Sequence, residues 1–495
     1  MGKVKWVNML HLSDIRKWER CERCFWLSTR KPKAFTPFVN VNENIYELVK
    51  QYYGLTDAFE GEANDEAQKA LNALETKNAL LNARFSYRDL RIKVPLLLRE
   101  KDGFAMIMIY RLSFPKEKEA QTIADMLYVL RKCEVPIVKV STLHLNGSYM
   151  RMGSLNVKEL FVESDCLYNS KNKAHKTIAE LVKTCYRDLD SILDELHDIA
   201  QKDDIPSKRK AACTRGGKCL FYEDCFQETV NDDSLLHLMQ SAHKLSMLSE
   251  GKETMQEVDV DRLEGTRQQY AQVMAARLHG CYVDKPQLRI WLRTHIQYPI
   301  SYLDFEWETF VFPPYDKMKP YDVLTFQYSL HVEQQDGTLT HTGFIGEKDC
   351  REEFILSLLA NIPKDGTILV FNMEGAEKLR LIQLANQFPQ YEEPLRKIWE
   401  RMVDLSLPFA SGAIYDLRQR GGYSLKTLVS IFSDYHYADL DISVGMDAVE
   451  KWREYSISKD ARERAEIYRQ LEEYCAMDTY AEYIVYHALQ NMVAR

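Results

Sequence analysis

Residues 301–307 read SYLDFEW and place two acids inside an otherwise apolar segment. Side chains alternate along a β-strand, so Asp304 and Glu306 point to the same face. Two neighbouring like charges are unfavourable unless a cation lies between them, and a divalent metal ion is the usual one. The stretch therefore predicts a strand that carries a metal site. The alternative is an exposed strand end with two solvated acids.

The segments that follow predict the sheet to which this strand belongs. Two apolar runs, residues 323–333 and 338–346, favour further strands joined by short turns. Strand and helix patterns then alternate, with strands at 366–372 and 402–405 and helices at 351–362, 377–388, 424–432 and 463–490. Three antiparallel strands followed by this alternation resemble the ribonuclease H-like fold, a mixed sheet flanked by helices.

Three further acids are candidate ligands of such a metal. Tyr474 and Asp478 are four residues apart in a predicted helix and share one face. An Asp on a packed face needs a partner, which a metal shared with Asp304 supplies; a Tyr–Asp pair near the surface is the alternative. Glu377 lies at the start of a helix, where the helix dipole favours an acid in any case. Asp404 lies at the end of a short strand.

These residues resemble the pattern of the DEDD exonucleases, of the proofreading and ribonuclease D type. That family has D-x-E on its first strand, an acid after its fourth strand, and Y-x-x-x-D on its last helix. The resemblance implies two ions, Mg²⁺ or Mn²⁺, and a tyrosine that orients the attacking water, with these residues in those roles: Asp304, Glu306, Glu377, Tyr474 and Asp478. One departure is that the middle acid is Glu377, displaced by one residue from the family's Asp.

A narrower resemblance covers residues 304 to about 452. The segments FQYSLHVEQQDGTLTH, ILVFN, FPQY, RMVDL, GGYSLK and AVEKW are similar, in the same order, to those of the bacterial domain of unknown function 2779 family. Within GGYSLK, Ser424 and Lys426 are candidates for contact with phosphate; a helix cap followed by an exposed lysine is the alternative.

The cysteines form a second pattern. Cys213, Cys219 and Cys225 are spaced six apart, and Cys21 and Cys24 lie far upstream in CERCFWL. Thiolates with such spacing can assemble a four-sulfur site. Zinc is the alternative metal for these thiolates, although only the first pair has the C-x₂-C spacing of a Cys₄ zinc site. Free buried thiols are the remaining alternative.

One early and three late cysteines resemble the iron–sulfur nucleases of the PD-(D/E)XK class, as in the CRISPR-associated exonuclease and AddB-type families. The resemblance implies a [4Fe-4S] cluster that joins the two ends of the domain, with Cys24 outside the ligand set: Cys21, Cys213, Cys219 and Cys225. The class also needs an Asp and an E-x-K, but Ile109 and Arg111 stand at the E-x-K positions and Met126 replaces a helical Gln. We therefore expect a nuclease fold that has lost its active site.

Basic residues near the cysteines suggest that this domain binds nucleic acid. Trp18, Phe25 and Trp26 are interleaved with them and are candidates for base stacking; core aromatics on a solvated basic surface are an equal alternative. The basic residues are Lys3, Lys5, Arg16, Lys17, Arg20, Arg23, Arg30, Lys31 and Lys33, followed downstream by Lys202, Lys208, Arg209, Lys210, Arg215 and Lys218.

Length and composition predict the number of domains, the extent of nucleic-acid binding and the location of the protein. The 495 residues predict an α/β protein with a nuclease-like domain at 1–228, a helical connector at 229–296 and a ribonuclease H-like domain at 297–495. A net charge of −8 restricts nucleic-acid binding to local patches. No apolar run is long enough to span a membrane and the opening MGKVKWVNML lacks a signal-peptide layout, so we expect a cytoplasmic protein with reduced thiols.

The leading hypothesis is a metal-dependent 3′→5′ exonuclease acting on DNA or RNA, preferably single-stranded, with the iron–sulfur domain as substrate clamp. No phosphate-binding loop of a motor ATPase is encoded, so any unwinding would need a separate helicase. The alternatives are a non-catalytic nucleic-acid-binding or regulatory protein, built from degenerate nuclease folds with a structural cluster, and a redox or iron sensor.

Overall fold

The computed structural model describes residues 9–31, 39–226, 230–437, 440–442 and 445–494. The chain divides into two compact units. Unit 1 comprises Met1–Pro37, Val41–Gln227 and Val311–Tyr321; unit 2 comprises Phe38–Asn40, Glu228–Phe310 and Asp322–Arg495. Both are mixed α/β structures. Among the described residues, none of the helices combines the length and apolar character that a membrane-crossing segment requires.

Unit 1 is built around one mixed sheet. The strands of unit 1 are β1 (Leu10–His11), β2 (Ala58–Glu60), β3 (Ala79–Tyr87), β4 (Leu90–Glu100), β5 (Gly103–Tyr110), β6 (Ile137–Leu145), β7 (Phe161–Ser164), β8 (Cys166–Tyr168) and β9 (Ala174–Thr177). Its helices are α1 (Leu12–Arg20), α2 (Glu22–Arg30), α3 (Ile45–Tyr53), α4 (Ala67–Thr76), α5 (Glu119–Lys132), α6 (Val157–Leu160), α7 (Ile178–Thr184), α8 (Leu189–Gln201) and α9 (Tyr222–Cys225).

The sheet of unit 1 has the order β2-β3-β4-β5-β6-β7, and β1 pairs with β4. Strands β3, β4 and β5 are antiparallel, whereas β5 and β6 are parallel and are connected through α5. Residues 311–321 belong to this unit: the Arg151 guanidinium donates to the backbone oxygens of Pro313 (3.0 Å) and Pro314 (2.7 Å).

Unit 2 contains the acidic strand. Its strands are β10 (Cys281–Val283), β11 (Ile300–Thr309), β12 (Val323–Glu333), β13 (Leu339–Ile345), β14 (Thr367–Val370), β15 (Met402–Asp404) and β16 (Ile414–Asp416). Its helices are α10 (Lys244–Ser249), α11 (Arg267–Arg277), α12 (Lys285–His295), α13 (Arg351–Asn361), α14 (Glu377–Gln387), α15 (Glu392–Trp399), α16 (Leu407–Ala410), α17 (Leu425–Phe432), α18 (Gly445–Ile457) and α19 (Ala461–Ala494).

The main sheet of unit 2 has the order β13-β12-β11-β14-β15. The first three strands are antiparallel, and β14 and β15 run parallel to β11. The two faces of β11 bury different partners, as strand alternation requires. Leu303 and Phe305 pack with residues of α13 and α14, while Tyr302 packs with Tyr486 of α19. Asp304 and Glu306 share the face of Tyr302, so the acids point toward the α19 side.

The structure differs from the predicted domain boundaries at the connector, 229–296. This segment is largely helical, but it belongs to unit 2 and contributes strand β10, which pairs antiparallel with β16. Tyr415 of β16 lies in one buried cluster with Leu235, Val273 and Ala276. The connector supplies nine of the ten buried residues of this cluster and Tyr415 supplies the tenth, so it shares its core with unit 2. Sequence periodicity misses this because β10 is only three residues long.

We expect Tyr415→Ala to loosen the connector and β16 together. Tyr415 is 2% exposed, and replacing a buried aromatic side chain of this size by alanine costs about 3–5 kcal/mol. Hydrogen exchange followed by mass spectrometry should show faster exchange in residues 271–283 as well as in 412–417. Leu278→Ala, at a side chain that is 58% exposed, should change neither segment. Unaltered protection of 271–283 in Tyr415→Ala would show that the connector folds independently.

Candidate functional site

Three carboxylates converge between β11 and α19. One oxygen from each of Asp304, Glu306 and Asp478 lies within 4.8 Å of the other two. The pairing of β11 with β12 shifts register between Glu306 and Trp307, immediately after the second acid. Such irregularities re-aim side chains and are common at functional sites. The structure thus brings together the D-x-E acids and the aspartate of the last helix, as the sequence predicts.

Burial raises the pKa of all three carboxylates, and neighbouring acids add to the effect at Asp304 and Glu306. Burial, followed by Asp478, Glu377 and Glu306, raises the pKa of Asp304 well above its ordinary value. Burial and Asp478 do the same for Glu306, although Lys426 opposes them. Burial raises the pKa of Asp478 to about 6. The group is therefore electrostatically unfavourable when it is fully ionised, and oxygen ligands suit a hard divalent cation that would relieve the repulsion.

A layer of tyrosines and one lysine borders this group. The Tyr437 hydroxyl donates a 2.6 Å hydrogen bond to Asp478 Oδ1. Lys426 Nζ donates to the Tyr474 hydroxyl at 3.1 Å and lies over the rings of both tyrosines. Tyr474 and Lys426 were identified from sequence, but Tyr437 was not, since it lies in irregular chain between two helices. Ser424 caps α17 by accepting from the Thr427 amide, which agrees with the alternative for that residue.

Glu377 lies near the three carboxylates but outside their group. It is the first residue of α14 and is 2% exposed, and its Oε2 has no hydrogen-bond partner among the described residues. Burial raises its pKa to about 8, with Asp404 and Asp478 adding to the effect and Arg380 opposing it. A buried acid in this position stays protonated at neutral pH unless a cation approaches it.

Asp404 has a different environment from the other predicted ligands. Its Oδ1 accepts from the amides of Asn372 (3.1 Å) and Ser406 (2.8 Å), and its Oδ2 accepts from the Met373 amide (3.1 Å). Both oxygens therefore hold the chain that leads from β14 toward Glu377. Asp404 does not belong to the group of acids close enough to hold one ion.

Two side chains of α19 that sequence reasoning missed also reach the site. The Cys475 thiol donates to Asp304 Oδ2 at 3.5 Å. Glu482 is 1% exposed, and neither of its oxygens has a hydrogen-bond partner among the described residues. Its spacing of four from Asp478 places it on the same helix face, and this spacing is the signal that could have identified it.

The predicted cluster cysteines meet around one cavity in unit 1. Its lining includes Cys21, Cys213, Cys219 and Cys225, as predicted, and also Cys24. The Sγ atoms of Cys24 and Cys219 are 3.9 Å apart. In the described part of the chain, no three thiols are close enough together to hold a single ion. The thiols thus surround a space instead of converging on one point, as a tetrahedral zinc site would require.

Arginines and buried rings surround this cavity. Arg20 donates to the backbone oxygen of Gly217 at 2.8 Å, and burial together with Cys219 raises the pKa of Cys24 to about 12. Of the two alternatives for Phe25 and Trp26, base stacking or a place in the core, their burial agrees with the second. Phe25 is fully buried, and Trp26 is buried and donates its Nε1 hydrogen to the Lys202 oxygen at 2.8 Å.

Some other members of the predicted basic set form ion pairs with acids, and some lie outside the described residues. Arg23 pairs with Asp204 and Lys31 with Asp224, each at 2.9 Å. Trp18 is half-buried and its Nε1 donates to Glu195 at 3.1 Å. Three of the predicted basic residues lie outside the described residues: Lys3, Lys5 and Lys33.

The strand expected to have lost its nuclease acids is β5. Ile109 is paired with Leu143 of β6, and Met126 is 2% exposed in α5. Asp125 beside it is buried but forms an ion pair with Arg187. In the described residues of unit 1, no three potential ligands come together around a single ion position.

Comparison with known proteins adds one finding for the chain. Residues 301–424 match a family described as domain of unknown function (DUF2779), as the motif order predicts. The matched segment begins in β11 and ends just before α17, so it contains Asp304, Glu306, Glu377 and Asp404. No curated protein and no solved structure matches the chain.

We expect stabilisation by Mn²⁺ to grow with pH. The pKa values of Asp478 (about 6) and Glu377 (about 8) are raised in the folded protein. These two groups therefore destabilise the metal-free fold progressively as the pH rises from the unfolded pKa of about 4 to the folded values of about 6 and 8, and the loss is complete above them. Thermal unfolding should show a larger Mn²⁺-induced rise in Tm at about pH 8 than at about pH 5.

The double variant Asp304→Asn/Glu306→Gln provides the control for this measurement. It should unfold at nearly the same temperature with and without Mn²⁺ at both pH values. A Mn²⁺ effect that shrinks with rising pH, or that persists in the double variant, would contradict a metal site on these acids.

Proposed function

We propose that the protein is a metal-dependent 3′→5′ exonuclease that hydrolyses phosphodiester bonds in DNA or RNA, preferably single-stranded, in the cytoplasm. The observation that carries the proposal is the convergence of Asp304, Glu306 and Asp478 within 4.8 Å. The strand order β13-β12-β11-β14-β15, with the acids on the central strand, supports a ribonuclease H-like fold for unit 2. The Y-x-x-x-D spacing of Tyr474 and Asp478 supports the DEDD type.

The donor set fits Mg²⁺ or Mn²⁺. Three carboxylates supply hard oxygen ligands. Burial and neighbouring acids raise the pKa values of Asp304 and Glu306, and a bound cation would oppose that rise. When bound, the ions would lower the pKa of water and stabilise the charge that develops on the leaving 3′ oxygen. Asp304, Glu306 and Asp478 would hold them, and Asp404 would position Glu377 through the three amides that it binds.

The chain's own polar groups would orient the substrate and the attacking water. The Tyr474 hydroxyl is fixed from one side by Lys426, which leaves its oxygen able to accept from or donate to a water over the carboxylates. Lys426 would also pair with a phosphate oxygen, since its charge lies at the edge of the acidic group. Tyr437 would fix the orientation of Asp478.

We propose a structural [4Fe-4S] cluster on Cys21, Cys213, Cys219 and Cys225, with unit 1 as a nuclease-like fold of the PD-(D/E)XK class that binds nucleic acid. The cysteines come from two distant parts of the sequence, Cys21 directly before α2 and the segment around α9, and they surround one cavity. A cluster in this position would hold those segments together. Unwinding of a duplex would fall to a separate helicase.

A second candidate function is supported by a specific observation. Unit 1 has Ile109 and Arg111 at the positions where a nuclease of its class needs Glu and Lys. If unit 1 is a nuclease fold without its active site, unit 2 can be one as well. The protein would then be a non-catalytic nucleic-acid-binding or regulatory protein. The uncompensated carboxylates of unit 2 favour the enzyme, since a retired site has no reason to keep buried acids together.

Exonuclease activity tests the first proposal. With Mn²⁺, anaerobically purified protein should shorten 5′-labelled single strands progressively from the 3′ end. Asp304→Ala should abolish cleavage, and Tyr474→Phe should lower the rate by about 10–100-fold, as is typical of residues that orient metal ligands. Asp336→Ala, at an exposed acid in the β12–β13 turn, should leave the rate unchanged. Tight binding without cleavage in the wild type would favour the second function.

Metal and sulfide content tests the cluster. The anaerobic wild-type protein should contain about four iron atoms per chain and lose them in Cys213→Ser and Cys219→Ser. Cys133→Ser, at a thiol outside the cavity, should retain the iron. Cys21→Ser should lose the cluster and Cys24→Ser should keep it; the reverse result would exchange these two residues in the ligand set. Zinc without iron in anaerobic protein would overturn the assignment.

A further inference from the structure

Glu482 is a buried acid that the exonuclease pattern does not use. It is 1% exposed, and both of its carboxylate oxygens lack a hydrogen-bond partner among the described residues. It lies one helical turn after Asp478, so both side chains leave α19 on the same face, toward β11. The Leu303 backbone amide lies near Glu482 and opposes the rise in its pKa, but no cation among the described residues does so. A buried carboxylate without a well-formed hydrogen bond or a cation is costly, so its presence requires an explanation.

The charged neighbours of Glu482 are acids. Burial raises its pKa well above the ordinary value, and Asp304, Glu377 and Asp478 raise it further, in that order. The cations of the site act elsewhere: Lys426 acts on Glu306 and Asp478, and Arg380 acts on Glu377. Arg380 thus offsets part of the repulsion on Glu377, whereas no cation acts on Glu482 in the same way among the described residues.

Glu377 and Glu482 share two properties that point to a common ligand. Each is nine-tenths or more buried, and each has at least one oxygen with no hydrogen-bond partner in the described part of the chain. Neither belongs to the group of acids that lies within 4.8 Å. A ligand that satisfies both must therefore present hydrogen-bond donors at some distance from its own centre. A hydrated divalent cation does so, because Mg²⁺ keeps several of its waters when it binds to protein.

We propose that Glu482, together with Glu377, holds the second of the two metal ions through its water shell, beside Asp304. The inference rests on the proposed two-metal site and assigns to it a residue that the family pattern lacks. Glu482 would compensate for the displaced middle acid, because Glu377 alone leaves one side of that ion without an anionic acceptor. Glu482 is thus a positioning residue, which acts on the ion through water and does not touch the substrate.

Mn²⁺ titration followed by electron paramagnetic resonance tests this assignment, since free Mn²⁺ gives the signal and bound Mn²⁺ does not. Full-length, anaerobically purified protein should bind about two Mn²⁺ per chain beyond those bound by Asp304→Asn/Glu306→Gln. Glu482→Gln, which keeps the shape and removes the charge, should retain the tighter ion and weaken the other by about 10–100-fold. Glu472→Gln, at an exposed acid of the same helix, should match the wild type.

Each outcome of the titration has a definite meaning. The retained first ion shows that Glu482→Gln is folded, so loss of the second ion alone supports the proposal. Two equally tight ions in Glu482→Gln overturn it and leave the exonuclease proposal intact. A wild type that binds only one ion also overturns it. So does Mn²⁺ binding that is unchanged from the wild type in both Glu482→Gln and Glu472→Gln; that result would indicate that Glu377 and Glu482 share a proton instead. Normal binding without cleavage by the wild type would refute the exonuclease and not the ion assignment.

Discussion

Repulsion among buried acids is the constraint around which unit 2 is organised. Asp304, Glu306 and Asp478 converge between β11 and α19, Glu377 and Glu482 act on this group, and burial raises the pKa of each of the five. No folded protein gains stability from such a group when it is empty and ionised. The sheet and α19 tolerate it because their apolar packing on the opposite face of β11 and along α19 holds the acids in place. The acids thus lower the free energy of unfolding, and the packing of the surrounding core offsets that loss.

Much of unit 2 could be predicted because its signals are local. The alternation in SYLDFEW sets both the strand and the shared face of its acids, and β12 was predicted to within its observed bounds. Tyr474 and Asp478 follow from helical spacing alone. The remaining features of the site depend on contacts that no local pattern encodes. Tyr437 reaches Asp478 from the segment between α17 and α18. The hydrogen bonds of Asp404 to the Asn372 and Met373 amides arise only when β14 and β15 lie side by side.

The aromatic residues near the cysteines show a different limit. Tryptophan and phenylalanine between basic residues fit a nucleic-acid surface and a protein core equally well in sequence. Burial decides between them: Phe25 and Trp26 face inward, and the arginines Arg23 and Arg30 lie over the Trp26 ring. The connector was misjudged for a related reason. Its helix α11 buries three glutamines and four small apolar residues, and nothing in that composition indicates which unit the helix joins.

Residues 311–321 delay the point during synthesis at which unit 1 can finish folding. They complete unit 1, yet they leave the ribosome only after residues 228–310, which belong to unit 2. At a translation rate of about 5–20 residues per second, unit 1 waits roughly 5–20 s for its last segment after residue 227 has been made. During that interval unit 1 lacks the side chains of Val311, Phe312 and Met318, which are buried in the folded protein. Nascent chains stalled before residue 311 should therefore depend on chaperones far more than chains stalled after 321.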